Sequence, residues 1–302
     1  MTTFTWPEIL TASEKVNWRI EDILADEHRF DFRREFLPES LARTRKLAFL
    51  DQKEQLCLNH IRGHGYLYMF GVCEEFILPF VVDHARPDLG GDDHRTRALL
   101  GFAEEEAKHI HLFKRFQRRF RDDFGHTCDV IGPPSAIASA VLAHDPLSIA
   151  LLTLQIEWMT QRHYLDSVQT DGALDERFSS LLRHHWMEEA QHAKMDTLIV
   201  RQLAAERTAA QHVEAVEGYL KIGQFFDEGL AQQARFDLDT LQRLIGRRLD
   251  AADTERFLAV QHQALRWTYL GSGMTHPKFL ATLGALGGNL RARVESVAPA
   301  FC

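Results

Sequence analysis

A five-residue motif that occurs twice is the feature that most constrains the fold of this chain. The first copy is EEAKH, which ends at His109, and the second is EEAQH, which ends at His192. We call the interval from His109 to His192 the repeat offset. In a helix, residues three apart lie on the same face, so each copy presents a carboxylate, Glu106 or Glu189, beside an imidazole. One Glu-x-x-His pair is common on a solvated helix face, but a second copy favours a duplicated structural unit.

The repeat offset also relates two single glutamates that lie upstream of the motifs. It pairs Glu74 with Glu157, so that each precedes the motif carboxylate of its own half by the same interval. Each half therefore predicts a helical hairpin that supplies one Glu and then a Glu-x-x-His pair. Four-helix bundles of the ferritin-like dinuclear carboxylate class are built in this way. The predicted fold class is all-α, a ferritin-like four-helix bundle core with additional N- and C-terminal helices.

The ligand in the first helix is ambiguous, because Glu74 and Glu75 are adjacent. Consecutive side chains on a helix are about 100° apart, so only one of the two can point fully into the bundle. The repeat offset favours Glu74, since that residue is the counterpart of Glu157. Both glutamates are kept as candidates.

His185 extends the second motif by one helical turn. His185, Glu189 and His192 occupy positions i, i+4 and i+7, so they share one face of a helix. The repeat offset pairs His185 with Phe102, so the two halves differ at this position. A third imidazole would make one bound ion different from the other. The alternative is a buried histidine that is hydrogen-bonded to a carboxylate, while His184 points away from this face.

Carboxylates and imidazoles in this pattern favour a site for two iron ions, with manganese as an alternative. Oxygen ligands suit manganese, and imidazoles suit iron. Without a cation, each inward carboxylate would cost on the order of several kcal/mol through burial and repulsion. No catalytic residue beyond the metal ligands and no site for an organic cofactor is predicted. The candidate ligands are Glu74, Glu75, Glu106, His109, Glu157, His185, Glu189 and His192.

Other polar residues near the motifs are not expected to be ligands. We expect Glu104, Glu105, His111 and Glu188 on a solvated face or behind the ligands. Tyr164 is expected to be a core aromatic residue.

Helical periodicity and capping residues predict the helices of the bundle. Asp51 and Asp145 are candidate N-caps, and Pro146 suits the first position of its helix. The four bundle helices are predicted at about 51–84, 92–122, 145–169 and 173–204. Further helices are predicted near 207–230, 237–248, 252–270 and 276–294.

No linker rich in Gly, Ser or Pro divides the chain, so one domain is predicted over residues 1–302. Its bundle core would span about residues 51–205, followed by a C-terminal helical extension over about 206–302. The extension is expected to act as a lid or as the surface of a homodimer.

Composition excludes several functional classes. The net charge of −8 argues against nucleic acid and anionic membranes as partners. The longest apolar stretches are expected to fall short of the roughly 20 residues that cross a membrane. The N-terminus MTTFTWPEIL does not resemble a signal peptide, and the four cysteines form no C-x-x-C pair. We therefore expect a cytoplasmic protein with reduced thiols.

These residues resemble the p-aminobenzoate N-oxygenase family, whose members are non-haem di-iron enzymes of ferritin-like fold. The segment RREFLPESL, ahead of a long glutamate-bearing helix, is similar too, and the likeness covers about residues 30–205. The additional histidine distinguishes this family from ordinary ferritins. The resemblance rests on Glu74 or Glu75, Glu106-x-x-His109, Glu157 and, above all, His185-x-x-x-Glu189-x-x-His192.

The resemblance implies an O2-dependent monooxygenase or N-oxygenase that oxidises a small organic substrate, in known relatives an arylamine. Electrons would come from an external donor, either a reductase or a ferredoxin-like protein. Two alternatives keep the metals: a ferritin-like ferroxidase that handles iron, and a di-iron hydroxylase or desaturase acting on an acyl substrate. A third alternative, a helical interaction protein with a structural metal, is disfavoured because such sites are usually closed zinc tetrahedra.

Overall fold

The computed structural model describes residues 4–25 and 27–302. Regular structure in this part of the chain is helical, apart from one bridge between Glu35 and Leu174. π-helical turns at Tyr164–Val168 and Trp267–Gly271 continue the seventh and tenth helices. The helices are α1 (Trp6–Ser13), α2 (Ile20–Ile23), α3 (Glu39–Ala42), α4 (Gln52–Ala85), α5 (Asp93–Phe124), α6 (Pro134–Leu142), α7 (Pro146–His163), α8 (Glu176–Ala205), α9 (Ala209–Ile245), α10 (Ala251–Arg266), α11 (Ser272–Met274), α12 (Pro277–Leu286) and α13 (Gly288–Val297).

Four long helices, α4, α5, α7 and α8, form the core of the protein. α4 and α5 follow each other closely in sequence and pack together as one hairpin, and α7 and α8 form the second. A longer connection between the hairpins contains the short helix α6. One long crossover between two helical hairpins is the connectivity of ferritin-like bundles. The predicted all-α class is confirmed, with α1–α3 and α9–α13 as the additional helices.

An aspartate caps the start of each bundle helix. The side chains of Asp51, Asp92, Asp145 and Asp175 accept hydrogen bonds from backbone N–H groups in the first turns of α4, α5, α7 and α8. Such caps satisfy donors that a helix N-terminus leaves unpaired. The predicted starts at Asp51 and Asp145 are confirmed, and Pro146 takes the first position of α7.

The C-terminal third differs from its prediction in two places. α9 is one continuous helix, where the sequence predicts two. Gly229 lies inside α9, and a Cβ atom there would lie 3.1 Å from Ile131 Cδ1, so close packing accounts for a glycine within the helix. Conversely, the helix predicted near 276–294 is divided into α12 and α13, because Gly287 adopts an extended backbone conformation.

The extension packs directly on the bundle helices that carry three of the candidate ligands, Glu74, Glu75 and Glu157. α9 contacts both α4 and α7. Arg62 of α4 and Asp237 of α9 form a buried ion pair with 3.8 Å between Nε and Oδ2. Arg62 also donates to Oε1 of Gln261 on α10, over 2.8 Å. The extension therefore shares a buried polar contact with the core, while its predicted roles as a lid or dimer surface stay predictions.

α4 corrects the expectation about membrane-spanning length. By length and composition alone, this helix is long and apolar enough to cross a membrane. However, 72% of its most apolar 18-residue window is buried inside the protein. The central helix of a bundle has the same composition as a membrane span, because neighbouring helices surround it on every side.

Candidate metal centre

The bundle brings seven of the eight candidate ligands together in its interior. None of the seven is more than 2% exposed. They are Glu74 on α4, Glu106 and His109 on α5, Glu157 on α7, and His185, Glu189 and His192 on α8. Each bundle helix therefore contributes at least one carboxylate, as the duplicated pattern predicts.

Two overlapping groups of these side chains could each hold a metal ion among the described residues. In each group, one ligand atom per residue lies within 4.8 Å of the corresponding atoms of the others. His109 and Glu189 belong to both groups. The first group adds Glu74 and His185, and the second adds Glu106 and His192. Sharing of a carboxylate between two groups is the arrangement that a bridged pair of ions requires.

The three histidines present different ring nitrogens to the centre. Nδ1 of His109 lies 3.1 Å from Glu189 Oε1, and Nδ1 of His192 lies 2.8 Å from Glu189 Oε2. Nδ1 of His192 is also 2.9 Å from Glu106 Oε1. His185 instead presents Nε2, which lies 2.5 Å from Glu189 Oε1 and 3.2 Å from Glu74 Oε1. The motif histidines are thus equivalent in orientation, and His185 is not.

Several carboxylate oxygens in the centre lack a hydrogen-bond partner of suitable geometry within the described part of the chain, although imidazole nitrogens lie close to two of them. They are both oxygens of Glu106, Oε2 of Glu157 and Oε1 of Glu189. Nδ1 of His109 is also without a partner of suitable geometry in these residues. Buried polar atoms are nearly always hydrogen-bonded, so unsatisfied ones require a reason such as an ion.

The pKa values in the metal-free centre reflect crowding of charge. Burial, followed by the charge of Glu74, raises the pKa of Glu106 well above its usual range. Burial, followed by the charge of Glu189, does the same to the pKa of Glu157. Burial would also raise the pKa of Glu189, but the imidazoles around it, His185 first, hold that pKa well below its usual range. The carboxylates therefore compete for the positive charge that the histidines supply.

This donor set fits a pair of divalent cations. Two cations would satisfy the unpaired oxygens and cancel the repulsion that raises the pKa values of the carboxyl groups. Oxygen donors with imidazoles are ligands that iron and manganese take, whereas structural zinc sites favour four Cys or His ligands. The geometry supports the predicted ligands, whose direct binding of metal stays a prediction.

Glu75, the eighth candidate, lies outside the centre. Its carboxylate forms an ion pair with Lys114 of α5, with 2.7 Å between Nζ and Oε1, and its side chain is 24% exposed. The rotation of about 100° between adjacent helical residues directs Glu75 to the surface when Glu74 points inward. The structure therefore removes Glu75 from the candidate ligands and places Glu74 in the centre.

Phe102 and His185, which the repeat offset pairs, have different surroundings in the structure. Phe102, the counterpart of His185, stacks on His192 with 3.9 Å between ring centroids. His185 is flanked edge-on by Phe70 and Phe113, at centroid distances of 5.6 and 5.0 Å. One half of the centre thus has an aromatic ring where the other half has a third imidazole.

The residues behind the motif histidines were only broadly predictable. Nε2 of His109 lies 2.8 Å from Glu188 Oε2, and Nε2 of His192 lies 2.6 Å from Glu105 Oε2. Glu105 and Glu188 were expected either on a solvated face or behind the ligands. The structure places both behind the candidate ligands. Glu104 is exposed. These contacts fix the ring orientation that leaves Nδ1 free to face the centre.

Sequence reasoning missed Asp196, a fully buried carboxylate on α8. Both of its oxygens lack a hydrogen-bond partner within residues 4–25 and 27–302. Burial raises its pKa to about 7, and the hydroxyl of Thr153 lies beside it. A signal was present, because Asp196 continues the stripe of His185, Glu189 and His192 at position i+11. Its repeat counterpart is Phe113, so the repeat offset, which pairs Glu74 with Glu157 and Glu106 with Glu189, could not find it.

Comparison with known proteins identifies no family. No protein-family model matches the chain, and no curated protein matches it. Solved structures of R2-like ligand-binding oxidases are remotely similar. One with an aerobically reconstituted Mn/Fe cofactor shares 14% identity over 87% of this chain and 93% of its own, with a TM-score of 0.42. A point mutant with an anaerobically reconstituted Mn/Fe cofactor shares 13% identity over 88% and 92% of the two chains, with a TM-score of 0.45. These likenesses are too distant to carry a functional argument, which must come from the site itself.

Proposed function

We propose that this protein is a di-metal oxidoreductase that uses two iron ions and O2 to oxidise a small organic molecule. Manganese in place of one or both irons is compatible with the same ligands. One observation carries the proposal: two buried groups of four ligands share His109 and Glu189. A redox-inactive structural ion would need only one closed group of ligands.

The side chains of the centre have separable tasks in this proposal. Glu74, Glu106 and Glu157 would neutralise the ions from three different helices, and Glu189 would lie between them. The histidines would fix the positions of the ions through Nδ1 of the motif residues and Nε2 of His185. Bound iron would supply the O2 chemistry and the transfer of electrons, which no side chain in this set performs. Burial of every ligand excludes bulk water from the reacting atoms.

The more specific proposal is N-oxygenation of an amine. It is supported by the pattern His185-x-x-x-Glu189-x-x-His192, whose side chains all reach the same buried centre. In the first step, one oxygen atom of O2 would pass to the amine nitrogen and give a hydroxylamine. The other oxygen atom would leave as water, with two electrons from an external reductase or ferredoxin and two protons from solvent. A cytoplasmic location and a homodimer are also part of the proposal.

The proposal can be tested with purified protein that is loaded anaerobically with ferrous iron. We expect about two Fe per chain, and 18O from 18O2 in the product when an arylamine and a reducing system are supplied. A single tightly bound zinc per chain would contradict the dinuclear site. Iron that accumulates well beyond two per chain, without product, would support the ferroxidase alternative. Oxygen incorporated into an acyl substrate, and not into amines, would support the hydroxylase alternative.

A further inference from the structure

We infer that Lys108 makes the two halves of the metal centre unequal. It pairs with Glu188, the carboxylate behind His109, and so weakens the polarisation of that histidine. The matching carboxylate behind His192, Glu105, has a neutral hydroxyl as its outer partner. This inference rests on the proposed function, because it concerns the same pair of ions. It assigns a role to Lys108, which is not a ligand.

The two carboxylates act reciprocally across the bundle. Glu188 on α8 contacts Nε2 of His109 on α5, and Glu105 on α5 contacts Nε2 of His192 on α8. Glu105 and Glu188 are related by the same repeat offset as the histidines. Each therefore precedes the motif carboxylate of its own helix and serves the histidine of the other helix. The duplicated unit thus includes the residues behind the ligands as well as the ligands.

The outer oxygens of the two carboxylates have different partners. Oε1 of Glu105 accepts a hydrogen bond from the hydroxyl of Ser13, over 2.9 Å. Oε1 of Glu188 forms an ion pair with Nζ of Lys108. That ammonium group also lies over the ring of Trp18, 4.0 Å from its centroid, which helps to hold it in place. The outer partner of one carboxylate is therefore a neutral hydroxyl group, and the outer partner of the other is a cation.

The sequence shows that this difference is specific to one half of the repeat. The counterpart of Lys108 is Gln191, which has no charge. The side-chain oxygen of Gln191 accepts a hydrogen bond from Lys194, over 3.0 Å. The two halves therefore differ behind the ligands, by Lys108 against Gln191, as well as at the ligands, by His185 against Phe102.

The two outer partners should change how strongly each motif histidine donates to a metal ion. A carboxylate that accepts the Nε2 proton of a histidine makes Nδ1 a stronger donor to a metal. A nearby ammonium group opposes this effect, because it draws electron density towards itself. His192 should therefore be a stronger donor than His109. A stronger donor binds the ion more tightly and favours its oxidised state.

Lys108 can be substituted without creating a cavity in the hydrophobic core. Its side chain is 25% exposed, and it lines a surface cavity of about 530 Å³ between α1 and α5. Glu104 is an exposed glutamate that lines the same cavity. Lys194 is a lysine of α8 that donates to Gln191 rather than to a carboxylate behind a motif histidine. Glu104 and Lys194 supply matched controls for the test.

The test compares Lys108→Met, Glu105→Gln and Glu188→Gln with the controls Glu104→Gln and Lys194→Met in the full-length, iron-loaded protein. Ferrous affinity would be measured by competition with a chelator, and the midpoint potential by redox titration. We expect each Glu→Gln change at 105 or 188 to weaken the binding of one ion by roughly 10–100-fold and to raise the potential. Lys108→Met should do the opposite: tighten binding and lower the potential. The controls should match the wild type, and circular dichroism should show that all variants are folded.

Changes of opposite sign in ferrous affinity, weaker for the Glu→Gln variants and tighter for Lys108→Met, separate polarisation from a structural role. Loss of packing would weaken binding in all three variants. The inference is overturned if Lys108→Met shifts the potential in the same direction as Glu188→Gln, or if neither Glu→Gln change alters affinity. Failure of the proposed function is distinguishable, because the wild-type protein would then not bind two iron ions per chain. A wild type with two ions and variants identical to it would overturn this inference alone.

Discussion

Nε2 of His185 lies 2.5 Å from Oε1 of Glu189, one helical turn away, and 3.2 Å from Oε1 of Glu74 on the facing helix. Through this contact, the single imidazole that the repeat does not duplicate reaches the carboxylate shared by both groups of ligands. The neighbouring His184 is directed elsewhere, and its Nδ1 lies 2.7 Å from the carbonyl oxygen of Ser180 in its own helix. The two adjacent histidines therefore form a natural pair for testing what the additional imidazole does.

Replacement of His185 by alanine should weaken the binding of one iron ion by about tenfold or more, because an imidazole donor is lost from a buried site. The second ion should remain bound, since His109 and His192 are unchanged. Titration of the metal-free protein with ferrous iron would measure both affinities. His184→Ala is the control and should leave both unchanged. Equal affinities in wild type and His185→Ala would show that His185 has only a packing role.

The two adjacent glutamates of α4 give a second matched pair. Glu74→Gln should reduce bound iron towards one ion per chain, because this carboxylate faces His185 in the centre. Glu75→Gln should keep two ions and lose at most about 1 kcal/mol of stability, as expected for a surface pair with Lys114. Iron analysis after gel filtration would measure the stoichiometry. The reverse result would mean that the helix is rotated when metal is bound.

Much of this site was predictable because the ligands lie on helices with a regular period. The repeat offset identified Glu106, Glu157 and Glu189 as inward-facing carboxylates from the sequence alone. It also favoured Glu74 over Glu75, and Glu74 is the one that points into the bundle. Asp51 and Asp145 located the starts of α4 and α7 for the same reason, since capping depends on local sequence. Helical periodicity cannot show how far one helix is displaced along another. The contacts of Glu105 and Glu188 with histidines on the opposite helix depend on that displacement.

Other features escaped prediction for different physical reasons. Asp196 was missed because its repeat counterpart is a phenylalanine, so the duplicated pattern gives no sign of it. The continuity of α9 between residues 230 and 237 was missed because sequence periodicity alone does not show the contacts that this helix makes with α4, α7 and α10. The single-domain prediction is not tested by these contacts and stays a prediction.

Removal of metal should make the stability of the protein depend strongly on pH. The carboxyl groups of Glu106 and Glu157 have raised pKa values when folded but ionise near 4.5 when unfolded. The pKa values of His109 and His192 are likewise raised above 6.5, because the charges of surrounding carboxylates outweigh the effect of burial. The folded state therefore binds more protons than the unfolded state, and stability falls as pH rises.

This dependence would be measured by thermal unfolding of the chelator-treated protein between about pH 6.5 and 8.5, where groups with raised pKa values lose their protons. The melting temperature should fall across the interval, and the fall should be much smaller when iron is bound, because metal replaces the protons. A metal-free protein whose melting temperature is constant or rises with pH would contradict the proposed crowding of charge.

Asp196 supplies a narrower test of buried charge. Its pKa is raised from 3.8 to about 7 by burial, so the folded state favours the protonated carboxyl group, and stability is lost as pH rises from about 4 to about 7. Asp196→Asn removes this ionisation and keeps the size of the side chain. Relative to wild type, the metal-free variant should gain roughly 2–4 kcal/mol in free energy of unfolding between pH 4 and 8. Denaturant titrations would measure this gain. Asp239→Asn, at an exposed position of α9, should show no such gain.

The buried pair between Arg62 and Asp237 predicts that the C-terminal extension cannot be separated from the bundle without loss of stability. Both side chains are 2% exposed, and they join α4 to α9. Asp237→Asn would leave the guanidinium group buried without its counter-charge, so the free energy of unfolding should fall by about 3–5 kcal/mol near neutral pH.

The matched control for this buried pair is the more exposed pair between Glu54 and Arg247. Glu54→Gln breaks that pair and should cost no more than about 1 kcal/mol. Urea titrations at pH 7.5 would measure both variants. Equal, small losses for the two would show that the extension adds little to the stability of the bundle and that α9 packs on it only loosely.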